Sequence, residues 1–315
     1  MCKCGICGNI ENNTLYVVKE MMFGYKDQFK YFKCPLCGCL QILNIPENLD
    51  KYYPSNYYSY GIFSGHTSLQ SKITDFLLSQ VLKSRISHYC FWGEIACLYK
   101  SLYADYFSGV SGAYLNYNSK VLDIGCGAGK LLLKMKKCGF KYLEGIDPYL
   151  KEDIKYINGV CVYKKDIYQL DKTYDFIMLH HSFEHMPEPK KVFEKLSTIL
   201  SVNGMIMLRV PLVDSYAWRK YGIDWFQIDA PRHLFLHTVK SINILAQNNG
   251  LKILRTVYDS RANQFIQSEK YMRDIAIAND SDIFTSREIS TFKKSADLLN
   301  SLKDGDQACF YLIKE

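Results

Sequence analysis

The first residues lack a basic segment, an apolar run and a small-residue cleavage site in succession, so they do not read as a secretory leader of the usual kind. It also has no uncharged stretch approaching the roughly 20 apolar residues that cross a bilayer. A cytoplasmic protein without membrane insertion is therefore expected. Blocks of like charge are missing too. The 39 Lys+Arg and 32 Asp+Glu leave a formal charge of +7 over 315 residues, with the basic side chains scattered. That is the pattern of a solvated surface, and it argues against nucleic acid as the partner. Disorder is excluded from the other direction: 48% of residues are hydrophobic and 23% charged, enough to bury a sizeable core.

Cysteine is what the chain does have, 12 in all. Cys90, Cys97, Cys126, Cys138, Cys161 and Cys309 are dispersed among apolar neighbours, as reduced core thiols are. The other six lie before residue 40. Cys4-Gly-Ile-Cys7-Gly8 and Cys34-Pro-Leu-Cys37-Gly38 repeat one device. A C-x-x-C pair followed by Gly turns tightly enough to aim two thiolates at one ion, and the Gly relieves strain at the turn. Leu15–Lys19 and Phe29–Lys33 read as hairpin strands between the copies. The expectation is a zinc ribbon in which Cys4, Cys7, Cys34 and Cys37 close a structural zinc site, with Cys2 and Cys39 left outside it.

From Ile42 to Tyr60 the chain is rich in Pro, Asn and Tyr and reads as a connector. Leu69 to Tyr106 then carries Ile73, Phe76, Leu77, Val81, Leu82 and Ile86 at helical spacing. These helices are expected to form a lid near a cofactor or simply to pack. Expected boundaries are a ribbon at 1–45, a connector and helical lid at 46–118, and a large α/β domain at 119–315 with a helical insertion about 261–305.

After Ser119 short apolar strands alternate with amphipathic helices, the signature of a parallel sheet covered on both faces. Val121-Leu122-Asp123-Ile124 runs into Gly125-Cys126-Gly127-Ala128-Gly129 and then a helix with Leu131, Leu132, Met135 and Cys138 on its inner side. A dinucleotide fold seats a pyrophosphate on G-x-G-x-x-G. Here the third Gly comes one residue early and an acid, Asp123, precedes the loop. An acid beside a phosphate is repulsive, whereas beside a cationic amino group it helps. The next strand, Tyr142–Ile146, ends in Asp147-Pro148, where a carboxylate can accept from both hydroxyls of a ribose. A strand near Val160–Tyr163 leads to Asp166-Ile167, placed for an adenine amino group and ring. Tyr174–Leu179 opens into His180-His181-Ser182-Phe183-Glu184-His185. Any one of these acids alone reads equally well as a solvated loop residue; three at successive strand tips after such a loop do not.

On Val121–Lys130, Gly145–Pro148, Lys165–Ile167 and Tyr174–Val210 the chain resembles class I S-adenosylmethionine (SAM)-dependent methyltransferases. The resemblance implies an α/β fold, a Rossmann-like seven-stranded and mostly parallel sheet with helices on both faces, completed by Leu251–Tyr258 and Ala308–Lys314. It implies SAM as cofactor, with Asp123, Gly125, Cys126 and Gly127 around the methionine part, Asp147 and Pro148 at the ribose, Asp166 and Ile167 at the adenine, and His180 near the methionine tail.

Methyl transfer needs a nucleophile held about 3 Å from the sulfonium methyl, and a base if that nucleophile is a hydroxyl. Five of the seven histidines are His180, His181, His185, His233 and His237, in loops expected at the carboxyl edge of the sheet. His181, His185 and His233 are the candidate catalytic bases; bracing of the loop by Glu184 and His185 is the plainer alternative. A resemblance to ubiquinone-biosynthesis O-methyltransferases would instead place a divalent metal at His181, Glu184 and His185, with His181 departing from that family's Glu. Asp229-Ala230-Pro231-Arg232-His233-Leu234-Phe235-Leu236-His237, after Trp218, Trp225 and Phe226, reads as a sugar or nucleotide pocket, or as an interface loop. Together with the ribbon and the Tyr-rich connector it resembles bacterial surface-glycan and nucleotide-sugar methyltransferases. The implied acceptor is a small molecule or glycan, a nucleotide sugar foremost, methylated on a hydroxyl. C-methylation of a nucleotide-linked keto-sugar, ribbon-guided RNA methylation and a non-catalytic SAM-binding scaffold stay open beside it.

Overall fold

A computed structural model describes residues 2–53, 115–278 and 283–315. The helices expected between Leu69 and Tyr106 lie outside the described residues. Two compact units emerge, and they do not follow the boundaries expected from sequence. The first combines Met1–Pro54, Phe183–Glu194 and Arg209–Phe310; the second combines Ser55–Ser182, Lys195–Leu208 and Tyr311–Glu315.

In the first unit, β1 (Thr14–Lys19) and β2 (Gln28–Lys33) form an antiparallel hairpin with Thr14 opposite Lys33. β3 (Leu40–Ile42) pairs with β2, and the two-residue β10 (Phe235–Leu236) pairs with β3, both antiparallel. The ribbon hairpin is thus the edge of a four-stranded sheet, ordered β1-β2-β3-β10, whose last strand comes from far along the chain. Helix α4 (Val239–Gln247) starts at Thr238, whose hydroxyl accepts from the Ser241 amide at 2.9 Å and donates to the Cys37 carbonyl at 2.6 Å. One side chain therefore caps a helix and ties it to the second cysteine knuckle. The unit also holds β11 (Leu251–Tyr258), next to the start of β12 (Gln307–Lys314), and the helical segment expected between them. That segment is α5 (Asn263–Met272) and α6 (Ser286–Ser301), the latter opened by a Thr285/Glu288 capping box.

The second unit is built on β4 (Lys120–Ile124), with β5 (Tyr142–Ile146) and β8 (Tyr174–His180) parallel on its two sides. Beyond β5 lie the parallel β7 (Cys161–Tyr163) and the antiparallel edge β6 (Ile154–Lys155). Beyond β8 lie β9 (Leu200–Pro211) and then the end of β12. The central strands are buried on both faces, so they read as near-continuous apolar runs. The sheet is of the expected Rossmann-like, mostly parallel kind. The two-residue β6 is an addition to the seven strands expected. Helix α1 (Lys130–Lys137) buries Leu132 and Met135. α2 (Pro189–Ile199) passes from the first unit into the second.

Candidate functional site

The loop after β4 closes tightly because its glycines take conformations that other residues resist. Gly125 has φ +73°, and a Cβ there would lie 2.4 Å from the Ser182 Cβ. Ser182 sits that close because its hydroxyl donates to the Ile124 carbonyl at 2.7 Å. Gly129 has φ +71°, with a would-be Cβ 2.7 Å from Val162. The amides of Gly125 and Cys126 both donate to the Ile146 carbonyl, at 2.8 and 3.3 Å, binding the loop to the end of β5.

Asp147 then organises what faces this loop. Its Oδ2 accepts the Gly127 amide at 2.9 Å and its Oδ1 the Tyr149 amide at 3.0 Å. Each oxygen keeps a second lone pair, so the same carboxylate can still receive a diol. Burial pushes its carboxyl above the ordinary value, opposed by those two amides. Asp123 is only 3% exposed, and burial, reinforced by the charge of Asp147, pushes it up to about 8. A buried carboxyl beside another acid holds its proton unless a cation arrives. Cys126 keeps its proton because burial raises its thiol well above the usual range. Asp166 is exposed and caps a short 3-10 turn, accepting the Tyr168 amide at 3.1 Å. Ile167 is largely spent on packing at 5% exposure, while Pro148 is exposed. His180 and His181 are half-buried, with rings edge-to-face at 5.3 Å, and His181 has φ +54°. All of these residues belong to the second unit.

In the first unit the structure brings His185 and His233 together, their ring centroids 4.7 Å apart at 71°. His185 Nδ1 is 2.8 Å from the Arg232 carbonyl and 3.1 Å from the Tyr53 hydroxyl; His233 Nδ1 is 2.7 Å from the Gln227 carbonyl. A carbonyl can only accept, so each Nδ1 carries a proton. Burial lowers His185 to about 4, and the neighbouring His233 adds to the shift. His233 Nε2 stands 3.9 Å from Glu184 Oε1 and 3.8 Å from Asp229 Oδ2. Tyr53 and Asp229 were not singled out as partners of these rings, and Glu184 was linked only with its neighbour His185. His237 is different in kind: it is buried, stacked on Phe183 at 4.8 Å, and bonded through Nδ1 to Ser241. Burial lowers it to about 3, as for a packing histidine.

The pocket expected at Asp229–His237 loses Arg232 and Trp225 to packing. Arg232 is fully buried and bonds Asp229 through two nitrogens, Glu20 Oε1 at 2.9 Å and the Tyr52 carbonyl at 3.2 Å. Burial and the guanidinium act oppositely on Asp229, and the charges of Arg232 and His233 win, holding it below the ordinary value. Trp225 is likewise buried, its Nε1 donating to Asp306 at 3.1 Å. Arg232 and Trp225 hold the fold together and have no surface to offer a sugar or phosphate.

Among the described residues two groups could hold a metal ion, Cys4/Cys7/Cys34/Cys37 and Glu184/His185/His233, with ligand atoms within 4.8 Å of one another in each. In the first, Cys4 and Cys37 sulfurs are 3.5 Å apart, as are those of Cys7 and Cys34. A tetrahedral zinc with bonds of about 2.3 Å would set sulfurs about 3.8 Å apart, so the cage fits with little change. Gly8 (φ +82°) and Gly38 (φ +76°) make the two turns alike, and Gln41 Nε2 donates to Cys4 Sγ at 2.9 Å. The hydrogen bond with Cys37 pulls the Cys4 thiol down, opposed by burial.

The family model described as methyltransferase domain matches residues 91–256, over half the chain and spanning the glycine loop and Asp147. The chain belongs to that methyltransferase family. SAM-dependent methyl transfer is the reaction class this membership carries. The methyltransferase is also similar to a probable (S)-tetrahydroprotoberberine N-methyltransferase 2 of Papaver bracteatum, 34% identical over 107 residues, a stretch covering 30% of each chain. Among solved structures, the mycolic acid cyclopropane synthase CmaA1 complexed with SAH and CTAB aligns at TM-score 0.48 and 16% identity, over 78% of this chain and 94% of that one. The plantazolicin methyltransferase BpumL, with a desmethylPZN analog and SAH, aligns at 0.41 and 20% identity, over 78% and 98%. No helix among the described residues is long and apolar enough to cross a membrane.

Proposed function

We propose that this methyltransferase moves the methyl group of SAM onto a hydroxyl oxygen of a sugar, carried on a nucleotide or a surface glycan, with a structural zinc in the Cys4/Cys7/Cys34/Cys37 cage. In this reading the ionised Asp123 meets the ammonium of SAM's methionine and the loop Gly125-Cys126-Gly127 leaves room for its chain, with His180 alongside. Asp147 and Pro148 take the ribose, and Asp166 with Ile167 the adenine. The acceptor oxygen attacks the methyl carbon, the carbon–sulfur bond breaks with its electron pair going to sulfur, and S-adenosylhomocysteine leaves as a neutral thioether. The hydroxyl proton passes to an imidazole from the set His181, His185 and His233 and then to water.

The observation that carries the hydroxyl assignment is the orientation of the His185 and His233 rings. In both rings Nδ1 lies on a backbone carbonyl, which leaves Nε2 as the nitrogen to exchange a proton with an acceptor hydroxyl. The experiment is transfer of labelled methyl from SAM to separate pools of nucleotide sugars, extracted glycan and RNA. Label on a sugar oxygen is expected. Label on a sugar carbon would replace the hydroxyl reading by keto-sugar C-methylation, and label in RNA would replace the sugar reading altogether.

A further inference from the structure

Two histidines and a glutamate gather in the first unit in a way that packing alone does not require. His237 shows what a packing histidine looks like in this protein, stacked between Phe183 and Phe235 with ring planes nearly parallel to both. His185 and His233 instead meet edge-to-face, and each is oriented through Nδ1 by a backbone carbonyl. Orientation of an imidazole by a bond at its far nitrogen is what fixes tautomer and direction in metal-ligating histidines.

The supports are themselves anchored. His233 sits at the end of a turn in which the Asp229 carbonyl accepts the Arg232 and His233 amides, at 2.8 and 3.2 Å, with Asp229 in the left-handed region at φ +41°. Tyr31 of β2 donates its hydroxyl to the His233 carbonyl at 2.9 Å. Arg232, between the two rings' supports, is locked by Asp229 and Glu20. Glu184, fully buried, also receives the Leu234 amide on its backbone carbonyl at 2.8 Å, so both segments of the cluster are stitched together.

We infer that Glu184, His185 and His233 bind a first-row divalent transition ion of the zinc type, separate from the ion of the cysteine cage. Each residue supplies one ligand atom, and the three atoms lie within 4.8 Å of one another. Two imidazoles and one carboxylate suit zinc and its neighbours, and three protein ligands leave a coordination position open to an oxygen. Asp229 stays outside the first ligand set, committed to Arg232, with Oδ2 3.8 Å from His233 Nε2. This set differs from the expected one in its third ligand, which comes from the Asp229–His233 turn in place of His181. The inference alters the function proposed above: with His185 and His233 holding the ion neither can also take the proton, and an acceptor hydroxyl bound at the open position would be acidified by the ion instead. Ion binding itself does not rest on that reading.

The test uses full-length protein without SAM or acceptor, stripped of metal and titrated with cobalt(II), then zinc. The cysteine cage announces itself by thiolate charge-transfer absorption in the near ultraviolet. A second ion on nitrogen and oxygen adds only weak visible bands after that absorption has saturated. We expect this second phase in the natural protein, displaced by zinc, and lost in His233→Ala and Glu184→Gln while the thiolate bands remain. The retained thiolate bands report that each variant is folded at the ribbon. A natural protein that stops at the thiolate-bound ion overturns the inference, as does a second phase unchanged in both variants. Failure of methyl transfer with the second phase present would count against the acceptor reading and leave the site standing.

Discussion

The carboxylate of Asp147 holds the amide of Gly127 at 2.9 Å, joining the tip of β5 to the glycine loop that follows β4. The residue proposed to grip a ribose is therefore also the one that shapes the loop beside it. Asp147→Ala removes a hydrogen bond to a charged group, worth about 1.5–3 kcal/mol, and any bond to the diol as well. SAM affinity measured by calorimetry should fall at least about tenfold, with a smaller loss for Asp147→Asn, which can still accept the amide. Unchanged affinity in the Ala variant would remove Asp147 from the site.

Asp123 makes SAM binding depend on pH. With its carboxyl raised to about 8 by burial and by Asp147, the ligand-free protein holds this proton at neutral pH. The ammonium of SAM favours the ionised form, so binding at pH 7 should release a proton. Affinity should rise with pH until about 8 and fall by up to about tenfold per unit below it. For the ligand-free fold the sign is the reverse. Between the unfolded value of about 3.9 and the folded value, the native state holds more protons, so this group's contribution to stability declines as pH rises. Calorimetry in buffers of different ionisation enthalpy reads the proton directly, and Asp123→Asn should abolish the release. Affinity that is flat across this range would separate Asp123 from the ammonium.

How far residues announce their place depends on how local their partners are. The strand Val121–Ile124, the glycines after it and the acid at 147 were legible because a buried parallel strand, a tight turn and a strand tip each leave a mark within a few residues. Doubled C-x-x-C-G was legible for the same reason. Arg232 was misread because its partner Glu20 lies 212 positions away and the pair becomes a core element only once both are buried. Phe235-Leu236 is too short to show any period, and it becomes a strand only because β3 offers it an edge. His185 and His233 were legible as chemistry but not as a pair, since the turn that aims His233 at Glu184 is set by Asp229 and Tyr31.

Arg232 should be a stability residue. Arg232→Ala leaves Glu20 and Asp229 without the guanidinium both share, and breaking a buried ion pair from one side costs about 3–5 kcal/mol. Denaturant unfolding followed by circular dichroism should show a clearly lowered midpoint. Arg232→Lys should lie between, because an ammonium cannot reproduce the paired bonds to Asp229 together with those to Glu20 and Tyr52. An Ala variant as stable as the natural protein would contradict the structural role assigned to this side chain.

Tryptophan emission should report metal in the cysteine cage. Trp218 is covered from the ribbon, by the edge of Tyr16 from β1 at 5.3 Å and by the Lys33 ammonium of β2 at 5.2 Å. The hairpin that carries both is closed at its base by the two knuckles, and a small sheet held by a metal loses its order when the metal goes. Stripping the protein with a strong chelator should therefore expose Trp218 to water and shift emission to the red, and zinc should restore it. Cys34→Ser/Cys37→Ser should show the same shift with no chelator present, which separates the cage from any ion at His185 and His233. Trp218→Phe should suppress most of the change, which assigns it to that ring and not to Trp225, whose ring packs edge-on against it at 6.4 Å. If emission is the same with and without metal while the cysteine variant binds no zinc, the ribbon holds its shape without an ion and the structural role of the cage is lost.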